Sequence, residues 1–152
     1  MNKTAIVTGA SGQDGSYLIE LLIKKNYNVI GIDRIKSNII NNNLITIQSS
    51  KRFQLLDADL LDENRINEII RKIRPDELYN LAAQSFVPAS WNNTLYTCNI
   101  NSLGVGRILE AIRIYSPNTK FYQASSSEMF GKVSTDFQDE NTYHHPRSRY
   151  GC

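Results

Sequence analysis

Three residues in the last third of the sequence, Ser126, Glu128 and Tyr150, offer a hydroxyl, a carboxylate and a phenol where the chain order brings them to one edge of a sheet. Beside a nicotinamide ring, these groups are the parts needed to take a proton from an alcohol while a hydride leaves its carbon. Singly, Ser126 reads equally as a turn serine and Glu128 as a helix-capping acid. Their joint placement after the fifth apolar run favours the chemical reading.

That chemistry needs a dinucleotide, and the amino-terminal stretch Gly9-Ala10-Ser11-Gly12-Gln13-Asp14-Gly15 offers a place to hold one. The β-branched run Thr4 to Thr8 breaks at three glycines spaced three apart, and Leu18, Leu21 and Leu22 then share one helical face. The pattern is strand, tight turn, helix. Gly9 permits a sharp exit from the strand, Gly12 a close approach of main chain to a diphosphate, and Gly15 close packing of the helix on the strand. Main-chain N–H groups along residues 9 to 15 and the positive end of the helix dipole would face that diphosphate. The carboxylate of Asp14 would repel it, so its side chain is expected to point away while its backbone contributes. The spacing G-x-x-G-x-x-G is one residue longer than the usual fingerprint, and the bland alternative is a turn without a ligand. Its position at the start of a βαβ unit favours the dinucleotide.

The elements that must position these residues alternate in type. Val29 to Ile32 predicts a second strand, closing at Asp33-Arg34, where a dinucleotide fold places the group that reads the adenine ribose. A carboxylate there accepts from a 2′-hydroxyl, and an arginine pairs with a 2′-phosphate. Phe53 to Leu56 predicts a third strand, with Asp59 and Leu60 beyond it as candidate adenine contacts; Asp62 with Asn64 reads equally as helix-capping chemistry. Ile66, Ile69, Ile70 and Ile73 mark a helix ended by Pro75. Leu78 to Leu81 predicts a fourth strand leading into Ala82-Ala83-Gln84-Ser85, small enough for a ribose and nicotinamide to approach. Trp91 to Tyr115 predicts one long helix weakened at Gly104 and Gly106, and Lys120 to Ala124 a fifth strand. The fold class is α/β, a doubly wound (Rossmann) parallel sheet with ligands at the carboxyl ends of its strands.

Composition bounds the rest. A chain of 152 residues, 41% hydrophobic and 21% charged, suits one domain over 1–152 with a single core. The net charge of +2 is dispersed and argues against a nucleic-acid partner. Short apolar runs argue against a membrane span, and the absence of a signal-peptide pattern makes the cytoplasm the expected compartment. Cys98 and Cys152 lack metal or redox spacing and read as free thiols, so no metal site is expected. The asparagine-rich stretch 38–50 reads as a loop.

Four segments together, Thr8 to Leu18, Asn80 to Ser85, Tyr122 to Lys132 and Pro146 to Tyr150, resemble the GDP-mannose 4,6-dehydratases of the extended short-chain dehydrogenase/reductase superfamily. Gln13-Asp14-Gly15-Ser16-Tyr17-Leu18 and the Ser-Glu pair after the fifth strand are the most specific parts. The resemblance implies roles residue by residue. Tyr150 matches the base that takes the proton of the sugar 4-hydroxyl, Ser126 a position usually held by threonine that hydrogen-bonds this hydroxyl, and Glu128 the group that removes the C5 proton. Tyr96 and Leu81 to Ser85 match cofactor contacts. It further implies NADP as cofactor, a GDP-mannose substrate, and a homodimer or tetramer assembled through the segment after Arg34.

The sequence departs from the family pattern in three places. Asp33 and Ile35 flank a single basic residue, Arg34, where the family usually has two or more, which keeps NAD as the alternative cofactor. Serine replaces threonine at 126. The lysine of the family's Tyr-x-x-x-Lys motif would fall two residues past Cys152, so the sequence reads as the amino-terminal part of a dehydratase, with the substrate-binding portion beyond it and little turnover expected without it. The alternatives are another nucleotide-sugar dehydratase, an epimerase or a reductase of the same superfamily, and a non-catalytic dinucleotide-binding module.

Overall fold

A computed structural model of the chain describes residues 2–34 and 42–152. Five parallel strands form one sheet: β1 (Thr4–Thr8), β2 (Asn28–Asp33), β3 (Phe53–Asp57), β4 (Glu77–Asn80) and β5 (Lys120–Gln123). Their order across the sheet is β3-β2-β1-β4-β5, so the winding reverses between β1 and β4. Such a reversal opens a crevice at the carboxyl ends of the two strands, since the connections leaving them diverge to opposite faces.

Residues alternating along the strands build two cores. On one face Ala5, Val7 and Val29 pack against Ile19 and Leu22 of α1 (Gln13–Lys24). Leu44 and Ile47 join them, so the described part of the asparagine-rich stretch is more than a solvated loop: a short 3₁₀ turn at Asn42–Leu44 leads two apolar side chains into the core. On the other face Ile6, Ile30, Ile32 and Leu78 pack against Ile66, Ile69 and Ile70 of α2 (Glu63–Ile73), and against Ile108, Ala111 and Ile112 of α5 (Gly104–Tyr115). Each fully buried isoleucine contributes about 1.5–3 kcal/mol relative to exposure. Asp62 caps α2 by accepting the N–H of Arg65 at 3.0 Å. At the other end of α2, Arg74 takes a left-handed conformation (φ 46°) immediately before Pro75.

The single helix predicted over Trp91 to Tyr115 is instead a broken series. It runs as α3 (Ala89–Asn92), α4 (Thr94–Cys98), a π-helical turn at Asn99–Leu103, and α5. Asn93, at φ −129° and ψ 48°, interrupts the first junction. In the π turn, which binds one residue wider than an α-helix, Arg107 donates to the carbonyl (3.1 Å) and side-chain oxygen (2.8 Å) of Asn99 and so takes up acceptors at its start. Gly104 lies against Leu60, where a β-carbon would approach within 3.1 Å; Gly106 faces open space and makes no such packing contact. Ile35 and the segment assigned to assembly, as far as residue 41, fall outside the described residues.

Candidate active site

Three polar residues, one at the end of each of three neighbouring strands, lie in a single row across the sheet: Thr8 pairs with Asn80, and Asn80 with Gln123. The buried Thr8 hydroxyl donates to Asn80 Oδ1 (2.5 Å) and accepts from the N–H groups of Leu81 and Ala82, each at 3.1 Å. Asn80 Nδ2 donates to Gln123 Oε1 at 2.8 Å. A buried polar group left unpaired costs several kcal/mol, so this row fixes the strand ends relative to one another. None of the three was singled out from sequence; the available signal was a polar residue closing each apolar run.

Above this row lies a cleft of about 370 Å³ lined by Gly9, Ser11 and Gly12, by Asp33 and Arg34, by Asp59 and Leu60, and by Leu81, Ala82, Ala83 and Ser85. Gly9 has φ +67° and faces the main chain of Ala82, whose nitrogen would lie 3.0 Å from an added β-carbon. A β-carbon on Gly15 would overlap the carbonyl oxygen of Gly9, which is how the helix comes to sit directly on the strand end. Gly12 donates its N–H to the Gly9 carbonyl at 3.0 Å, and no side chain caps the N–H groups of α1 that follow it. Ala10 is buried in the core, and Gln13 and Asp14 are exposed and outside the cleft lining.

At the ribose-reading position the acid and the base are each engaged. Asp33 accepts the N–H of Ser11 (2.7 Å) through one oxygen and that of Arg34 (2.8 Å) through the other. Arg34 donates to the Tyr96 hydroxyl at 2.7 Å and stands 3.9 Å from Asp59 Oδ2. Asp59 also accepts the N–H of Leu61 at 3.0 Å. Tyr96 thus meets the cleft through Arg34 and is not part of its lining.

A second hollow, about 510 Å³, adjoins the first and shares Ala82 and Ala83 with it. Ser126 and Tyr150 line it, together with Asn101, Met129 and Arg149. Ser126 follows Ser125, a non-glycine residue at φ +57°, a strained backbone at the exit of β5. Its hydroxyl accepts the N–H of Glu128 (3.2 Å) and caps the short 3₁₀ turn Ser127–Met129. Glu128 itself is exposed and outside the lining of the hollow, although its carbonyl oxygen faces Gly151, 2.5 Å from where a β-carbon would stand. No hydrogen bond engages the Tyr150 hydroxyl among the described residues.

Asn101, on the π turn, holds the shared wall by accepting the N–H of Gln84 (2.8 Å) and donating to its carbonyl (3.1 Å). The Gln84 side chain donates to the Phe86 carbonyl, and its Oε1 is buried without a hydrogen-bond donor. Among the described residues, no group of three His, Cys, Asp or Glu could hold a metal ion, and no helix is long and apolar enough to cross a membrane.

The family model described as GDP-mannose 4,6 dehydratase matches residues 6–152. The GDP-mannose 4,6 dehydratase of Drosophila melanogaster is 42% identical over 159 residues, covering 99% of this chain and 40% of the fly protein. The Vibrio cholerae GDP-mannose 4,6-dehydratase is 42% identical over 157 residues, covering 99% of this chain and 42% of the bacterial one. Among solved structures, the UDP-glucose 4-epimerase of Thermotoga maritima with UDP-glucose superimposes at a TM-score of 0.83 with 28% identity, covering 97% of this chain and 46% of that one. The chain therefore spans about two fifths of the length of the curated relatives it matches. With the doubly wound sheet and a family match running from β1 to the last residue, this chain belongs to the GDP-mannose 4,6-dehydratase family.

Proposed function

We propose that in the complete protein this domain binds NADP and serves the dehydration of GDP-mannose to GDP-4-keto-6-deoxymannose. The observation that carries this reading is the shared wall. Ala82 and Ala83 border both the glycine-loop cleft and the hollow of Ser126 and Tyr150, so a dinucleotide lying along the first would end at the second. The cleft suits such a group: the uncapped start of α1 offers N–H donors to a diphosphate, and Arg34 offers a cation to a 2′-phosphate. Family membership supports the choice of sugar.

A bound nicotinamide would supply the hydride exchange between C4 and C6 of the sugar, and the cycle would then consume no oxidant. Tyr150 takes the proton of the 4-hydroxyl. Because Ser126 already accepts the Glu128 N–H, its own hydroxyl proton remains for the sugar oxygen. Glu128 then removes the C5 proton, acidified by the adjacent 4-ketone, and assists departure of the 6-hydroxyl as water. No salt bridge occupies the Glu128 carboxylate among the described residues, so no protein cation competes for it.

NAD is the second reading of the cofactor, favoured by a carboxylate, Asp33, at the end of β2. Assembly as a homodimer or tetramer, and work in the cytoplasm, complete the proposal. The two exposed free cysteines suit that reducing compartment.

Incubating the full-length protein and each cofactor with a panel of GDP-, UDP- and CDP-sugars tests the assignment. Conversion of GDP-mannose is expected; reaction of a UDP or CDP sugar alone would replace this substrate with that of an epimerase or another dehydratase. Glu128→Gln should abolish product while cofactor binding survives, and undiminished turnover would remove Glu128 from the mechanism. Cofactor binding without turnover of any sugar by the unaltered protein would favour a non-catalytic module.

A further inference from the structure

Arg149, the residue before Tyr150, is fastened to α3 and α4, the second of which reaches the hollow through Thr97 and Cys98. Its Nη1 donates to the Trp91 carbonyl (3.1 Å) and to Thr94 Oγ1 (2.5 Å), and its guanidinium carbon lies 5.1 Å from the centroid of the Trp91 ring. Thr94 donates its own hydroxyl proton to the Ser90 carbonyl at 3.0 Å, which leaves its oxygen lone pairs for the cation. Trp91 belongs to α3, a single turn whose late carbonyls have few helical donors after them, a setting that favours a cation.

The other neighbour of Tyr150 is fixed as well. Gly151 donates its N–H to the carbonyl (3.2 Å) and hydroxyl (3.1 Å) of Ser148, and it sits against the carbonyl of Glu128. Tyr150 stands between these two attachments in a segment without helix or strand, where the chain would otherwise wander. Arg149 is also the one charged residue lining the hollow among the described residues.

We infer that Arg149 is a positioning residue for Tyr150, holding the segment that carries the phenol against α3 and α4 so that the hydroxyl stands at the hollow before the sugar arrives. This rests on the proposed role of Tyr150 as the base. A proton acceptor works only within hydrogen-bond reach of its donor, and the cation–π contact, the carbonyl and the Thr94 oxygen together fix the guanidinium in one place.

The test uses the full-length protein, with kcat, GDP-mannose KM, cofactor Kd, the pH–rate profile and the melting temperature measured for Arg149→Ala, Arg149→Lys and Thr94→Val. Arg149→Ala should lower kcat by about tenfold to a hundredfold, the penalty of a misplaced reacting group, with KM, cofactor Kd and melting temperature unchanged. The loss should be the same across the pH profile. Lysine should restore part of it, because it keeps the charge but lacks the planar fork. Thr94→Val, which removes one acceptor with little change of volume, should lower kcat by a smaller factor even if Arg149→Ala proves unstable.

An unchanged kcat in Arg149→Ala or in Thr94→Val, or a loss confined to KM, would overturn the inference while leaving the proposed function standing. An unaltered protein that converts no nucleotide sugar would overturn both.

Discussion

The carboxylate of Asp33 accepts the main-chain N–H of Ser11 at 2.7 Å, tying the end of β2 to the loop that leaves β1. Its second oxygen accepts the N–H of Arg34 at 2.8 Å, so this acid acts first on the protein's own backbone. Asp33→Ala should therefore weaken NAD and NADP binding alike, by roughly tenfold to a hundredfold, the usual range for loss of a hydrogen bond to a charged group. Titrating both cofactors checks this. A loss confined to NAD would show the carboxylate acting on the ribose instead.

Arg34 reaches the Tyr96 hydroxyl at 2.7 Å while bordering the cleft. A guanidinium held there would make a charge-assisted pair with a 2′-phosphate and only a weaker hydrogen bond with a 2′-hydroxyl of the same ribose. Arg34→Ala should weaken NADP about tenfold more than NAD, measured as the ratio of dissociation constants. Equal losses would mean that Arg34 does not read the phosphate.

Much of the fold was legible because its signals are local. The glycine triplet marked the turn after β1, the isoleucines of α2 marked a face, and alternation of strand and helix implied a parallel sheet. The breaks in the helix predicted from Trp91 to Tyr115 were not legible: the backbone turns aside at Asn93, and the π turn comes with Arg107 reaching back to Asn99 and Asn101 reaching across to Gln84. Neither contact shows in the helix propensities of the residues that make it, and the second joins segments seventeen residues apart. The same holds for the Thr8–Asn80–Gln123 row, which exists only once strand register is set. At the site, residue types pointed to Ser126 and Tyr150, which share a hollow, whereas the exposed placement of Glu128 depends on a turn that sequence periodicity does not encode.

The two glycines that differ most in surroundings should respond oppositely to alanine. At Gly15 a β-carbon would meet the Gly9 carbonyl, a backbone atom that cannot swing aside, so Gly15→Ala should destabilise by about 1–3 kcal/mol. At Gly106, exposed in α5 with open space around it, Gly106→Ala should stabilise by about 0.5–1 kcal/mol through helix propensity. Urea melts of both variants check the pair. Equal responses would show that the contact at Gly15 relaxes freely.

At the amino ends of the strands, Glu77 accepts from Tyr79 (2.7 Å), Lys3 (3.0 Å) and Tyr27 (3.1 Å). Burial disfavours its ionised form, but these three hydrogen bonds outweigh burial and hold its carboxyl below the ordinary value of 4.5. A depressed carboxyl contributes stability that is complete above its unfolded value and is lost as pH falls through the folded one. Stability should therefore decline below about pH 4.5, and Glu77→Gln should flatten that decline while costing about 1–3 kcal/mol near neutrality. Burial first, and then the Glu77 carboxylate, push Tyr79 up to about 12 from an ordinary 10, so stability should also fall as pH rises from 10 through about 12. Denaturation across this pH range checks both limbs, and an acid limb unchanged in Glu77→Gln would assign it to other carboxyls.

Mass analysis of GDP-mannose treated with the full-length protein and NADP in deuterated water tests the dehydratase reading most directly. Removal of the C5 proton, loss of the 6-hydroxyl and hydride return to C6 predict a product one water lighter, carrying a single solvent deuteron at C5 and no net change in the cofactor. A product of unchanged composition, or a cofactor left reduced in proportion to sugar consumed, would contradict it.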